Sequence, residues 1–465
     1  MKKCYRKHND LDADCSCCHL KEQLKETDAE DRISQLPSDV LVLFLSHLPM
    51  KDAAQTSILS RRWRYLWAFF SGTLDFDASL ILEELRFPLG SGDRNSLLEE
   101  RLRFVRWVNQ VLGLHKALTV DGLRIIFDVG NEGDVDNWIK FALDKKVQKL
   151  ELDFTDLRMA DYSGLYSLPS HLFHNSSPSS LTALHLKRVN VTGGILEYLL
   201  SHCPFLEVLS VKNSSSLLSL NIRGPTLKLT HLELWCCRNF KKLEISAVNL
   251  VSLSYRGPEV VHFKYVPQLL ELSVAGNFFK IVVDNVFEHS SFLSRLKTLN
   301  LHFPGPLKLF MTAPQQFPEL SNLKYLELKV ALLDFGDLFL LTPLTRASPS
   351  LHKLTLLICY AEMSSGDVQS LIDEHAYHCL KVVEFIGFVG STAEVEFLLH
   401  LSKNAVSLEK IIIDPCRPYP LAELFKSRCQ LLKSKFRETR EYKLAKERAI
   451  DLQQKLPSDL EFVVL

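Results

Sequence analysis

Cys15, Cys17, Cys18 and His19, with Cys4 and His8 a short way upstream, are the densest set of metal-type donors in the sequence. Thiolates and imidazoles suit tetrahedral zinc, but a zinc site pairs its donors across a loop, and no second pair at a recognised spacing follows CSCCH. The cluster reads as part of a flexible polar tail over residues 1–30, not as a metal centre. Cys236 and Cys237 close a strand-like segment and read as packing. There is no phosphate-binding P-loop, no GxSxG and no HExxH, and the 16 histidines are dispersed. The basic stretch KSRCQLLKSKFRETREYKLAKER (426–448) alternates its cations with acids and lacks interleaved aromatics, so it reads as a solvated helix face. No cofactor, no metal and no catalytic residue is expected.

Composition narrows the classes further. The 465 residues carry 55 Lys+Arg against 55 Asp+Glu, which removes the usual electrostatic argument for nucleic acid. No apolar run approaches the roughly 18 residues of a bilayer span, and the first twenty residues lack a secretory apolar core. The 11 cysteines are odd in number and scattered, which fits an intracellular chain, in cytoplasm or nucleus, with reduced thiols. With 46% apolar residues there is material for a large core, built as two domains or one long repetitive body.

The elements that would position any site are repetitive. The pattern LxxLxL recurs as LTALHL (181–186), LEVLSV (206–211), LTHLEL (229–234), LVSLSY (250–255), LLELSV (269–274), LKTLNL (296–301), LKYLEL (323–328) and LHKLTL (351–356). It continues as LKVVEF (380–385) and LEKIII (408–413), and an earlier copy, VQKLEL, starts at Val147. From Leu181 the starts step by 25, 23, 21 and 19 residues, then by 27, 27, 28, 29 and 28. Those periods are the ones of leucine-rich repeats, one short strand per turn. The fourth and sixth positions point inward and the x positions outward, and stacked turns bury what one turn cannot. Secondary copies LLSLNI (217–222), FKKLEI (240–245) and VVHFKY (260–265) fall half a turn later, which predicts a second strand on the outer wall of those short turns. The insertion 334–350 reads as helical or loop-like.

Residues 31–70 do not share that pattern. Pro37 and Ser38 open a helix carrying Val40, Leu41, Phe44, Leu45 and Leu48; Pro49 ends it. Asp52 starts a second, kept thin by Ala53, Ala54 and Ile58, and Ser60 caps a third with Trp63 and Trp67 on one face. So small a module needs something to rest against. From Ile33 to Trp67 this run resembles a plant-type F-box, carried by Leu36-Pro37, Leu48-Pro49, Asp52-Ala53 and Arg62-Trp63 with Trp67. The resemblance implies a hook for Skp1, and through it a cullin, with Leu36, Pro37, Val40, Leu45, Leu48, Pro49 and Trp63 as contacts. For Leu45 and Trp67, a place in the hook's own core is the other reading.

Residues 379–416 read as strand, glycine turn, helix, strand, with Thr392 capping the helix and Asn404 ending it. This stretch resembles the FBD region of plant F-box proteins with leucine-rich repeats, and the closing helix and strand of 447–465 fit the same likeness. The expected architecture is α/β: a tail (1–30), an F-box of three short helices (31–72), a linker and N-terminal cap (73–145), an irregular leucine-rich-repeat horseshoe (146–375) and an FBD-like β-α-β cap (376–465). The implied function is a non-catalytic substrate receptor of a Skp1–cullin–F-box ubiquitin ligase. Its target protein would lie on the concave x positions, among them His185, Lys187, His231, Glu233, Trp235, Arg256, His302, Tyr325, Glu327 and Lys329. A small-molecule co-receptor and a ligase-independent scaffold are the alternatives; neither nucleic acid nor membrane is expected as a partner.

Overall fold

Leucines two apart on an extended chain fall on one face, and here that face closes a core. In a computed structural model of the chain, the described residues are 35–81, 94–127, 132–154, 165–174, 178–224, 226–257, 261–275, 292–307, 319–332, 335–360, 376–416 and 437–465, with Ile33, Val129 and Phe317 besides. The CSCCH cluster, with Cys4 and His8, lies outside them, as do residues 426–436 of the basic stretch. The chain divides into two units, residues 1–70 and 71–465.

The first unit holds helix α1 (Ser38–Ser46), α2 (Met50–Gln55) and two 3-10 helices, Thr56–Ile58 and Trp63–Phe69. Pro37 and Pro49 stand at the N-caps of α1 and α2, where the N–H that proline lacks has no helical partner anyway. The third helix is 3-10 rather than α and its N-cap is Arg62, not Ser60, although the Ser60 hydroxyl accepts the Trp63 N–H at 3.4 Å. Leu41 and Leu45, one helical turn apart, are buried on α1, with Ala53 on α2 and Trp63 on the 3-10 helix. Ile58, expected to pack, is 85% exposed, because the tight 3-10 turn carries it outward.

The second unit is a stack of parallel strands: β1 (Thr73–Asp77), β2 (Gly122–Ile126), β3 (Lys149–Asp153), β4 (Ala183–Lys187), β5 (Val208–Lys212), β6 (Ser219–Arg223), β7 (His231–Trp235), β8 (Lys242–Ser246) and β9 (Ser252–Arg256). It continues as β10 (Val261–Tyr265), β11 (Glu271–Ala275), β12 (Thr298–Pro306), β13 (Tyr325–Leu332), β14 (Lys353–Tyr360), β15 (Val382–Ile386), β16 (Lys410–Asp414) and β17 (Glu461–Val464). Fourteen of these form one sheet in chain order; the other three, β10-β8-β6, form a separate outer sheet at the secondary copies. Every LxxLxL leucine pair meets its counterpart in the next turn, as Leu232 and Leu234 meet Leu253 and Tyr255, all of them 0–1% exposed.

The stacking has a backbone device. From Asp121 to Lys381, the residue before each inner strand offers its carbonyl to two successive N–H groups of the next turn at 2.8–3.1 Å: Gln148 to Thr182 and Ala183, Thr182 to Glu207 and Val208, and so on. At strand ends Arg188, Asn213 and Cys236 turn left-handed (φ 56–57°), and each donates its N–H to the last carbonyl of the next strand. Residues 73–145 contribute two strands of the same sheet, β1 and β2, ahead of the first repeat copy. Between these strands run helix α3 (Arg94–Leu114) and, after β2, α4 (Glu132–Asp144); Phe104 stacks on Phe127 at 4.6 Å and sits edge-on to Trp138.

Helix α5 (Gly193–His202) is followed by the outer sheet. After β11 the outer wall changes again, and Phe335–Leu341 and Thr342–Arg346 are the helical turns expected of that insertion. At the far end β15, helix α6 (Thr392–Asn404) and β16 make the β-α-β cap, followed by helix α7 (Arg440–Gln453) and β17. The α6 cap is Ser391, not Thr392: its hydroxyl accepts the Glu394 N–H while Glu394 accepts the Ser391 N–H at 2.9 Å, a reciprocal pair that a first-turn threonine cannot make. Among the described residues no helix is long and apolar enough to cross a membrane.

Candidate interaction surfaces

The hook exposes what a free-standing module would bury. Leu43 and Phe44 on α1 are 60% and 57% exposed, and Leu48, Ile58 and Leu59 are exposed as well. Of the expected Skp1 contacts, Pro37, Leu48 and Pro49 are exposed, Leu36 and Val40 half-buried. Leu45 and Trp63 are core residues: at 1% and 6% exposure they hold α1 and the 3-10 helix together and present no surface of their own. Trp67 is half-buried. The Arg62 guanidinium donates to the Leu36 carbonyl and, at 3.3 Å, to the Ser38 hydroxyl, fixing the Leu36-Pro37 corner to the Arg62-Trp63 corner. Leu43 and Leu59 were not singled out by the sequence, and Ile58 was singled out for packing, not for exposure.

The repeat face is built from the x positions. Side chains from Asp77 on β1 to Lys329 on β13 line a single hollow of about 830 Å³, so the face is concave over that span. Register brings the expected residues into rows. Lys187, Trp235, Arg256 and His302 share one row, with Lys212 between the first two and Ala275 between the last two. His185 lies in the next row, between Glu151 and Ser210. Tyr325 stands apart, 52% exposed, in the row at the strand starts.

Charge on this face is compensated strand by strand toward both ends. Arg124 reaches Asp75 at 2.9 Å, Asp77 at 3.1 Å and Glu151 at 3.2 Å. Burial disfavours its charge, yet these carboxylates raise its pKa overall. Lys187 pairs with Asp153 and Lys212 with Glu233, while Lys353 pairs with Glu384 further along. In the middle, Arg256 lies over the Trp235 ring, 5.6 Å from its centroid, and floor positions Ser254, Ser273 and Asn300 are small and polar. Burial, then Lys329 and Arg256, push the His302 imidazole down to about 4; burial also lowers His185. Cys237 is buried, its thiol pushed up to about 11 by that burial, which suits packing. Among the described residues no group of three or more metal-type side chains is gathered.

Comparison with known proteins matches two stretches of the chain to two family descriptions. The F-box domain model matches residues 33–71, and the model described as At1g61320/AtMIF1, LRR domain, matches residues 173–465, more than half of the chain. The chain belongs to the F-box/LRR-repeat proteins. Similar F-box/LRR-repeat relatives come from Arabidopsis thaliana. The F-box/FBD/LRR-repeat protein At4g26340 is 26% identical over 419 residues, covering 83% of this chain and 93% of that one. The F-box/LRR-repeat protein At3g58900 is 32% identical over 266 residues, 52% of this chain and 74% of its own. A putative FBD-associated F-box protein, At5g56700, is 26% identical over 414 residues, 81% and 96% of the two chains.

Proposed function

We propose that this F-box/LRR-repeat protein is the substrate receptor of a Skp1–cullin–F-box ubiquitin ligase. The hook binds a Skp1-type adaptor through Leu36, Pro37, Val40, Leu48 and Pro49, and through the adaptor a cullin; Leu45 and Trp63 act by holding the hook's shape. The repeat face, with His185, Lys187, Trp235, Arg256, His302 and Tyr325, receives a target protein, and the FBD-like region (376–465) closes the end of the stack. Catalysis belongs to other subunits. The chain contributes proximity, raising the effective concentration of a target lysine near charged ubiquitin. Such a receptor works inside the cell and needs no acid, base or nucleophile of its own.

The observation that carries this reading is the exposed apolar set of Leu43, Phe44, Leu48, Ile58 and Leu59 among the described residues of the first unit. Large apolar side chains left exposed in such number on a small module mark a protein interface. The test is co-expression of the full chain with a Skp1-type adaptor. The Leu36→Ala/Pro37→Ala variant should lose co-purification while its thermal unfolding above the hook stays unchanged. Undiminished adaptor binding overturns the assignment.

A further inference from the structure

The centre of the concave face carries cations that make no ion pair among the described residues. Lys187, Lys212 and Lys353 each have a carboxylate at 2.7–2.9 Å, and Arg124 has three. Among the described residues no carboxylate makes an ion pair with Arg256, His302 or Lys329. The three belong to one row, on β9, β12 and β13, and the intervening β11 contributes Ala275, whose methyl leaves space between Arg256 and His302. Neighbouring strands are about 4.8 Å apart, so Arg256 and Lys329 start roughly 14 Å from each other, within reach of two long side chains converging on one group. Trp235 backs Arg256, orienting its guanidinium, and Ser273 and Asn300 on the floor add small polar groups.

We infer that this cluster is an anion seat for the target: an acidic segment of the bound protein places a carboxylate or a phosphate over Ala275 and His302, between Arg256 and Lys329. The inference rests on the reading of the repeat face as the target surface and names its chemistry. Two cations without an ion-pair partner among the described residues, set on a concave face, gather field lines and favour an anionic partner. A paired lysine such as Lys187 offers no such gain, because its carboxylate would have to be displaced. The charged groups facing His302 are Lys329 on β13 and Arg256 beyond Ala275; β11 presents Ser273 and Ala275 there, and Glu327 lies one row away beside Asn300. An anion seated between the cations offsets their repulsion on the imidazole, so His302 takes up a proton more readily in the complex.

The test uses the full chain bound to its adaptor and three fluorescein-labelled octapeptides, alternating glycine with glutamate, phosphoserine or lysine, titrated by fluorescence anisotropy. The glutamate or the phosphoserine peptide should bind at least tenfold tighter than the lysine peptide. Tight binding of the phosphoserine peptide alone assigns the seat to phosphate, and comparable binding of both assigns it to any acidic side chain. Arg256→Gln/Lys329→Gln should weaken binding tenfold or more, Arg256→Lys should retain it, and Lys212→Gln/Lys353→Gln should change it less than threefold. Absence of preference for the acidic peptides up to millimolar concentration, or equal loss from the paired-lysine variant, overturns the inference. Adaptor capture by the same samples is read in parallel: its failure counts against the receptor assignment, and peptide binding stands or falls separately.

Discussion

The Glu197 carboxylate accepts the backbone N–H of Asn221 at 2.9 Å, so helix α5 covers the free edge of the outer sheet at β6. An uncovered edge strand is a template for unwanted pairing, and a helix-borne acceptor satisfies it without another strand. Glu197→Ala should cost about 0.5–1.5 kcal/mol, the range of one solvent-accessible hydrogen bond. Amide exchange at Asn221 should accelerate while exchange on β8 stays slow. Unchanged protection at Asn221 would show that the bond does not hold the edge.

The junction tolerates no side chain at the start of that helix. A Cβ on Gly193 would fall 2.0 Å from the Ser219 carbonyl oxygen, a backbone atom that cannot swing away. Gly193→Ala is expected to destabilise the repeat unit by about 1–3 kcal/mol, as overpacking does, whereas Gly194→Ala, with open space around it, should be neutral or slightly stabilising. Urea midpoints of the two variants check this.

Glu394 is fully buried at the head of α6 and accepts the N–H groups of Ser391 at 2.9 Å and Val389 at 3.3 Å. Glu394→Ala leaves these donors without that acceptor and should cost about 1–3 kcal/mol; Ser391→Ala should cost about 1 kcal/mol. Equal unfolding midpoints for Glu394→Ala and the parent would refute the capping role.

His302 gives the fold a sensitivity to acid. Its folded pKa of about 4 lies below the ordinary 6.5, so the native state prefers the neutral ring. The stability tied to that preference is complete above pH 6.5 and is lost as pH falls to about 4, because the unfolded chain binds the proton first. His302→Gln should reduce the loss in urea midpoint between pH 7 and 4.5. Lys329→Met should raise the imidazole titration seen by NMR, since a cation beside it is gone.

The strands over 146–375 were legible because period-two alternation forces Leu232 and Leu234 to one side whatever the loops do. The outer sheet was legible for the same reason, from FKKLEI and its neighbours. β1 and β2 were harder. TLDFD and GLRII alternate, yet they lack a leading leucine and stand a long helix apart. In the hook, spacing alone marked Leu45 and Trp63 without separating a core residue from a contact, and Ile58 went outward on a 3-10 turn that helical periodicity does not describe. The anion seat was legible residue by residue but not as a cluster. Arg256, His302 and Lys329 are far apart in sequence, and only the strand register reveals that they share one row with no acid between them.

Each pre-strand carbonyl serves two N–H groups of the following turn and asks nothing of side chains beyond it. A turn is thus an interchangeable part: removing or duplicating one leaves every remaining acceptor facing an equivalent pair of donors. A lineage built on this staircase can lengthen or shorten its recognition face in steps of about 4.8 Å, re-spacing Trp235, Arg256 and Lys329 relative to one another without redesigning the core that carries them.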